Sequence, residues 1–156
     1  VIRTEALVLD YGTHRALAGV DLAVQRGEVF GFLGPNGAGK STTIRVLLDL
    51  LRPTSGRAEL FGITPREGGA ELRTRIGYLP GELALAGRKT AGQLLGHLAS
   101  LRGGRGADRI GELAERFTLP LDRPIRALSK GNKQKVGVVQ AFMHRPELLI
   151  LDEPTS

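Results

Sequence analysis

Eight consecutive residues, Gly34-Pro35-Asn36-Gly37-Ala38-Gly39-Lys40-Ser41, fit the pattern G-x-x-x-x-G-K-[ST] at every fixed position. The chemistry this spacing serves is phosphate binding. Glycines let the backbone wrap a phosphate with its N–H groups turned inward and no side chain in the way. A helix starting near Lys40 adds its positive N-terminal end. Lys40 then reaches the β- and γ-phosphates of a nucleotide, and the Ser41 hydroxyl is a ligand for Mg²⁺. A Gly-rich turn that binds nothing is the competing reading. The apolar run before the loop and the amphipathic stretch after it supply the strand–loop–helix context that disfavours such a turn.

A second candidate lies at residues 148–153. Leu148-Leu149-Ile150-Leu151 has the length and apolarity of a buried strand, and Asp152 and Glu153 follow it directly. Both carboxylates therefore fall at the C-terminal end of a strand, where ligands of open α/β sheets bind. Asp152 is the candidate to hold Mg²⁺, directly or through water. Glu153 is the candidate base that polarises a water for in-line attack on a γ-phosphate. Alone, an acidic pair after a strand is equally well a solvated turn or a helix cap; the phosphate loop in the same chain tips the balance.

These groups need a scaffold. Alternation of Ile2, Thr4, Ala6 and Val8, a turn at Tyr11-Gly12-Thr13, and Val20, Leu22 and Val24 predict an N-terminal β part. Val29-Phe30-Gly31-Phe32-Leu33 reads as a strand buried on both faces. Ile44, Leu47, Leu48 and Leu51 predict a helix that ends at Arg52-Pro53. A short strand is expected over 58–61, a helix over 71–75 and a strand over 76–79. Residues 91–117 carry two helices joined by a Gly/Arg loop at 102–106. Ser129 opens a further helix, stopped by Arg145-Pro146. Strands alternating with helices point to a mainly parallel sheet with helices on its faces.

Composition narrows the classes. The 156 residues contain no Cys and no Trp, 22 Gly and 8 Pro, which suits one domain able to bury a core. Without Cys there is no disulfide framework, thiolate zinc site or cysteine nucleophile. No run of about 18 apolar residues occurs, and the first residues lack the apolar stretch of a secretory signal, so a cytosolic protein is expected. The net charge is +6 and 17 of the 22 basic residues are Arg. Without a basic run or abundant aromatics, this reads as a solvated Arg-rich surface, and no nucleic-acid partner is expected.

Leu128-Ser129-Lys130-Gly131-Asn132-Lys133-Gln134-Lys135 resembles the signature motif of the ATP-binding cassette (ABC) ATPases, the nucleotide-binding subunits of ABC transporters. It precedes the 148–153 strand as in that family, and the resemblance covers essentially the whole chain. It implies a P-loop NTPase-type α/β fold: a mainly parallel sheet, an antiparallel N-terminal β part and a small helical subdomain at 83–128. The whole of residues 1–156 would be an ABC ATPase domain lacking its C-terminal part. The resemblance also implies the ligands, MgATP held by Gly34, Asn36, Gly37, Ala38, Gly39, Lys40, Ser41 and Thr42. Tyr11 resembles the aromatic residue that stacks on adenine. Ser41 and Asp152 would hold Mg²⁺, and Glu153 would be the catalytic base. Ser129 and Gly131, at a helix N-terminus, would face the γ-phosphate bound by a second cassette in a head-to-tail pair, though Ser129 is also a good N-cap in its own right. The partners implied are a second ABC ATPase subunit and membrane-embedded permease subunits on which the 83–128 helices dock. The place implied is the cytoplasmic face of the membrane.

Three departures from the family pattern stand out. After Ile76-Gly77-Tyr78-Leu79-Pro80 the family places Gln or Glu; here Gly81 stands there and Glu82 follows. Lys130 and Asn132 replace the usual Gly and Gln, and Lys at the first resembles a bacterial subset that works with separate exporter-type membrane subunits. Ser156 precedes the end of the family's D-loop, and none of His14, His97 or His144 is placed to act as its switch histidine. A piece of this length is expected to be inactive and poorly stable by itself, because an unpaired sheet edge favours aggregation. Two rival classes remain. A nucleic-acid-linked ABC ATPase of the repair or chromosome-maintenance kind, with coiled-coil or zinc insertions, needs long extra segments, whereas Lys40 and Ser129 are only 89 positions apart. A ribosome-associated tandem-cassette kind would carry a second phosphate loop, which does not occur in these 156 residues. A salt-sensitive nucleic-acid complex would favour this class. A non-catalytic remnant would bind nucleotide without turnover.

Overall fold

The computed structural model describes residues 1–153, in two compact units, Val1–Arg73 and Thr74–Ser156. The last three residues of the 148–156 segment lie outside the described residues.

In the first unit, strands β1 (Ile2–Tyr11) and β2 (His14–Val24) form an antiparallel hairpin closed by Gly12 and Thr13, with Tyr11 opposite His14. Strand β3 (Ser55–Leu60) pairs on the other side of β1, giving the order β2-β1-β3. Gly56 is obligatory at φ +83°, because a Cβ there would sit 2.7 Å from the Glu5 carbonyl and still closer to that of Ala6. Helix α1 (Lys40–Leu47) turns Thr43, Ile44, Val46 and Leu47 inward. There they join Leu7, Leu17 and Leu60 in a core from which water is excluded. Helix α2 (Pro65–Thr74) is broken at Gly69, whose φ of 51° and ψ of −139° are not helical.

Two expectations are corrected in this unit. Residues 29–33 form no strand. Val29 is fully exposed and Leu33 is 91% exposed. An apolar run becomes a central strand only when neighbours on both sides take its N–H and C=O groups, and among the described residues no strand pairs with it. Helix α1 also ends four residues before Leu51. Asp49 turns left-handed at φ 59°, and the amides of Leu50 and Leu51 fold back onto Arg45 O at 2.8 and 3.2 Å. The helical spacing of Leu51 therefore reflects a capping turn rather than a further helical turn.

In the second unit, β4 (Ile76–Leu79) and β5 (Leu148–Leu151) form a parallel pair in the register Ile76↔Leu148 to Leu79↔Leu151. Among the described residues, the second unit's sheet is this parallel pair. Helix α3 (Ala91–Leu101) starts in a capping box. The Gln93 amide donates to Thr90 Oγ1 at 3.2 Å and the Thr90 amide to Gln93 Oε1 at 2.9 Å. Helix α4 (Ile110–Arg116) follows the Gly/Arg loop, and α5 (Lys130–Phe142) opens at Ser129 as its sequence indicates. Leu95, Ile125, Val136, Val139 and Met143 join the three helices in one apolar core.

Helix α5 lies on β4 at two glycines. A Cβ on Gly137 would be 2.6 Å from Leu79 Cδ1 and from Leu83 Cδ2, and one on Gly77 would collide with the Ala141 carbonyl. Backbone of a packed helix gives way poorly. In the full-length protein, Gly77→Ala is therefore expected to lower stability by about 1–3 kcal/mol or more, read as the shift of the urea midpoint; an unmoved midpoint would contradict this contact.

Candidate functional site

The phosphate-loop residues belong to the first unit. Residues 34–38 are exposed, Gly37 and Gly39 both have φ 84°, and nothing lies within 4 Å of where a Gly37 Cβ would be. The bend at Gly37 is therefore open and exposed. At Gly39 the reason for glycine is the opposite. A Cβ would meet Leu17 Cδ2 at 2.5 Å and Ala16 O at 2.8 Å, so the loop's exit presses on β2. Gly39 is also the N-cap of α1, which leaves the first amides of that helix without intrahelical partners. The Ala38 amide, by contrast, already donates to Pro35 O at 3.2 Å.

Lys40 Nζ folds over the loop, donating to Gly34 O at 2.6 Å and Pro35 O at 2.9 Å. An ammonium has three donors, so one remains for a phosphate oxygen. Ser41 and Thr42 sit half-buried in the first turn of α1, while the neighbouring Thr43 is fully buried and returns its hydroxyl to Gly39 O at 2.9 Å. Tyr11 closes β1 with its ring half exposed, available for stacking.

The acidic pair belongs to the second unit. The β4–β5 register ends with the Asp152 amide on Leu79 O at 2.9 Å, which sets Asp152 and Glu153 at the strand's C-terminal end, as the sequence implied. Glu153 has φ 47°. This left-handed region is uncommon for a non-glycine residue, and Glu153 shares it with Ala6, Asp49, Phe61, Thr118 and Arg145. Gly81 lies alongside: a Cβ there would be 3.3 Å from Asp152 O and 3.6 Å from Glu153 Cβ. Ser129, exposed at the start of α5, accepts the Asn132 amide at 3.2 Å, so its oxygen caps its own helix while its O–H stays available; Gly131 is exposed in the first turn. Each unit thus carries one part of the expected chemistry, the loop in the first and the acidic and signature residues in the second. No group of three or more His, Cys, Asp or Glu suited to a metal occurs among the described residues.

Sequence reasoning missed a polar cluster on the buried side of α5. Gln140 Nε2 donates to Tyr78 O at 2.5 Å. His144 Nε2 lies 3.0 Å from Ile76 O and His144 Nδ1 lies 3.0 Å from the Arg102 guanidinium, which also donates to Gln140 O at 3.4 Å. A carbonyl can only accept and a guanidinium can only donate, so His144 is the neutral tautomer with its proton on Nε2. Its pKa is lowered from 6.5, first by burial and then by the charges of Arg102 and Arg105, against the opposing hydrogen bonds. The available signal was two polar residues four apart, in line with the apolar residues of α5.

This shift carries a sign. Below pH 6.5 the unfolded chain takes up the His144 proton before the folded one does, so stability present above pH 6.5 is lost as pH falls toward the lowered folded value. Urea midpoints of the full-length protein are expected to drop between pH 7 and pH 5. His144→Gln, which does not titrate, should flatten that drop; an equal drop in both proteins would contradict it.

A family model described as "ABC transporter" matches residues 17–156. The chain belongs to the ABC transporter family. Within it, this ABC ATPase chain is 38% identical over its whole length to the "Probable multidrug ABC transporter ATP-binding protein YbhF" of Escherichia coli, covering 28% of that protein. It is 38% identical to the "Bacitracin transport ATP-binding protein BcrA" of Bacillus licheniformis, again over its whole length and 52% of the relative. It is 42% identical to the "Daunorubicin resistance ATP-binding protein DrrA3" of Streptomyces coeruleorubidus, over 94% of the chain and 48% of the relative. The chain therefore spans about half, or less, of the curated relatives it matches. A solved "ATP binding subunit of ABC transporter" superposes with a TM-score of 0.86 at 32% identity, covering 99% of this chain and 67% of that one. The dimeric ABC cassette MJ0796 superposes at 0.82 with 26% identity, covering 99% and 75%. The P-loop ABC ATPase fold is thereby established, with its antiparallel N-terminal sheet and its parallel pair. No described helix is long and apolar enough to cross a membrane.

Proposed function

We propose that the protein containing this ABC cassette binds MgATP, hydrolyses it as a head-to-tail dimer, and so drives export of a substrate through membrane-embedded partner subunits. The observation that carries this reading is the exposed loop at 34–38, bent at Gly37 and Gly39 and running into α1. Lys40 and the amides at the start of α1 bind the β- and γ-phosphates, with Gly34, Asn36, Gly37 and Thr42 framing them, while Tyr11 stacks on the base. Ser41 and Asp152 hold Mg²⁺, which neutralises charge on the phosphate oxygens. Glu153, exposed just past the end of β5, accepts a proton from the attacking water. Ser129 and Gly131 complete the partner cassette's site from the N-terminus of α5.

Export is supported by the relatives, whose names refer to multidrug transport, bacitracin transport and daunorubicin resistance. Residues 83–128 act as the helical subdomain that docks on the membrane partner, which puts the protein at the cytoplasmic face of the membrane. The test is whether a multi-span membrane protein is encoded beside it and, on co-expression, associates with the full-length protein. Stable co-purification and ATP-dependent substrate uptake by inverted vesicles are expected. Failure of the two to associate, together with salt-sensitive nucleic-acid binding, would overturn transport in favour of the nucleic-acid-linked class.

A further inference from the structure

We propose that Gln140 and His144 are positioning residues for ATP turnover, joining α5 to β4 as one rigid piece so that the signature end of the helix and the segment beside Asp152 and Glu153 move together. The inference rests on the ATPase reading above.

The geometry is a match of two periods. Gln140 and His144 are four residues apart on one face of a helix, about 6 Å along its axis. The carbonyls they reach, Tyr78 O and Ile76 O, are two residues apart on a strand, about 6.6 Å. The two side chains therefore meet two successive carbonyls on one edge of β4. That edge is the one turned away from β5. Arg75 O accepts from the Glu147 and Leu148 amides, and Leu79 O from that of Asp152, so the alternating carbonyls of Ile76 and Tyr78 point the other way. No strand pairs there among the described residues. The side chains of α5 take the place of a neighbouring strand.

Satisfying two carbonyls would need only one donor each, yet the arrangement is more constrained than that. Arg102, at the end of α3, bonds both the His144 ring and the Gln140 carbonyl, which fixes the imidazole with Nε2–H toward Ile76. Gly77 lacks the side chain that would hold β4 away from Ala141, and Gly137 admits Leu79 and Leu83. The contact is therefore bonded, close-packed and held from a third element. Helix α5 begins at Ser129 and Gly131, while β4 leads through Pro80 to Gly81, next to Asp152 and Glu153. The bonded contact thus joins the element that carries the signature residues to the one that leads to the acidic pair.

The charged groups near His144 include Arg102 just past α3, Arg105 and Asp108 after it, Arg145 beyond α5, and the Arg75–Glu147 ion pair beside Ile76. Arg145 pairs with Asp108 at 3.6 Å, so none of these offers His144 an acid that would compete for its ring.

The full-length protein carries the test. Gln140→Leu removes the donor at nearly constant size, and Gln140→Lys restores one. We expect kcat of the Leu variant to fall about tenfold, as a small misplacement of catalytic groups does, with KM for ATP within about twofold of wild type and the Lys variant recovering most of the loss. Hydrogen exchange, which needs no turnover, should rise over residues 76–82 and stay unchanged over 34–43, and His144→Leu should repeat that pattern. Unchanged exchange over 76–82 in both variants, or a loss confined to KM, would overturn the positioning role. A wild-type protein that binds ATP without hydrolysing it would instead remove the ATPase reading, and the exchange comparison would still decide whether the helix and strand are coupled.

Discussion

Replacing Glu153 by Gln in the full-length protein is expected to reduce ATP turnover by about 10²- to 10⁴-fold, the range a positioned general base contributes, while ATP binding is retained. The two carboxylates at the end of β5 have separable tasks. Asp152 has its amide tied into the β4–β5 ladder on Leu79 O, which makes it the fixed member suited to holding a cation. Glu153 is one residue further, past the ladder, exposed and in the left-handed region. Gln keeps the size and reach of the side chain but removes its negative charge and, with it, the ability to accept a proton as a base. Steady-state phosphate release and equilibrium ATP binding measured on the same preparation separate the two effects. Turnover within threefold of wild type would remove Glu153 from the base role, and equal loss of binding would make it a structural residue.

Lys40→Ala is expected to weaken MgATP binding by at least about 30-fold, since truncating one member of a charge-assisted contact costs about 2–5 kcal/mol. The consequence goes beyond the lost charge. Lys40 Nζ also ties Gly34 O to Pro35 O, so its removal frees the entry of the loop as well as a phosphate contact. Lys40→Arg distinguishes these contributions: it keeps the charge but presents a planar fork that does not replace a compact ammonium above two converging carbonyls. Fluorescence titration with an ATP analogue should rank wild type first, then Arg, then Ala. An Ala variant as tight as wild type would exclude Lys40 from the binding site.

The chemistry-bearing segments were legible because their physics is local. The Ser129 cap and the carboxylates after Leu151 each depend on a few neighbouring residues and stand at the helix start and strand end that their patterns implied, and the glycines of 34–39 lead into α1 without the buried strand expected before them. Residues 29–33 show the limit of such reasoning. Apolarity marks a segment that could be buried, but strand formation needs partners that a five-residue window does not contain. Leu51 fits helical spacing by coincidence, because Asp49 adopts a left-handed turn that no periodicity reveals. The Gln140–His144–Arg102 cluster was illegible for a related reason. Its partners are 62, 68 and 42 positions away, and only the packed β4–α5 contact brings them together. What belongs to the helical region was also blurred, since α5 shares one core with α3 and α4.

The central claim is that the loop around Gly37 to Lys40 grips the outer phosphates of a nucleotide. Calorimetric titration of the full-length protein with ATP and with AMP, each with magnesium, tests it most directly. The account predicts saturable ATP binding and AMP binding at least about 100-fold weaker, because AMP keeps the base and ribose but gives the loop nothing to hold. Equal affinity for the two nucleotides, or no saturable binding of ATP, would contradict it.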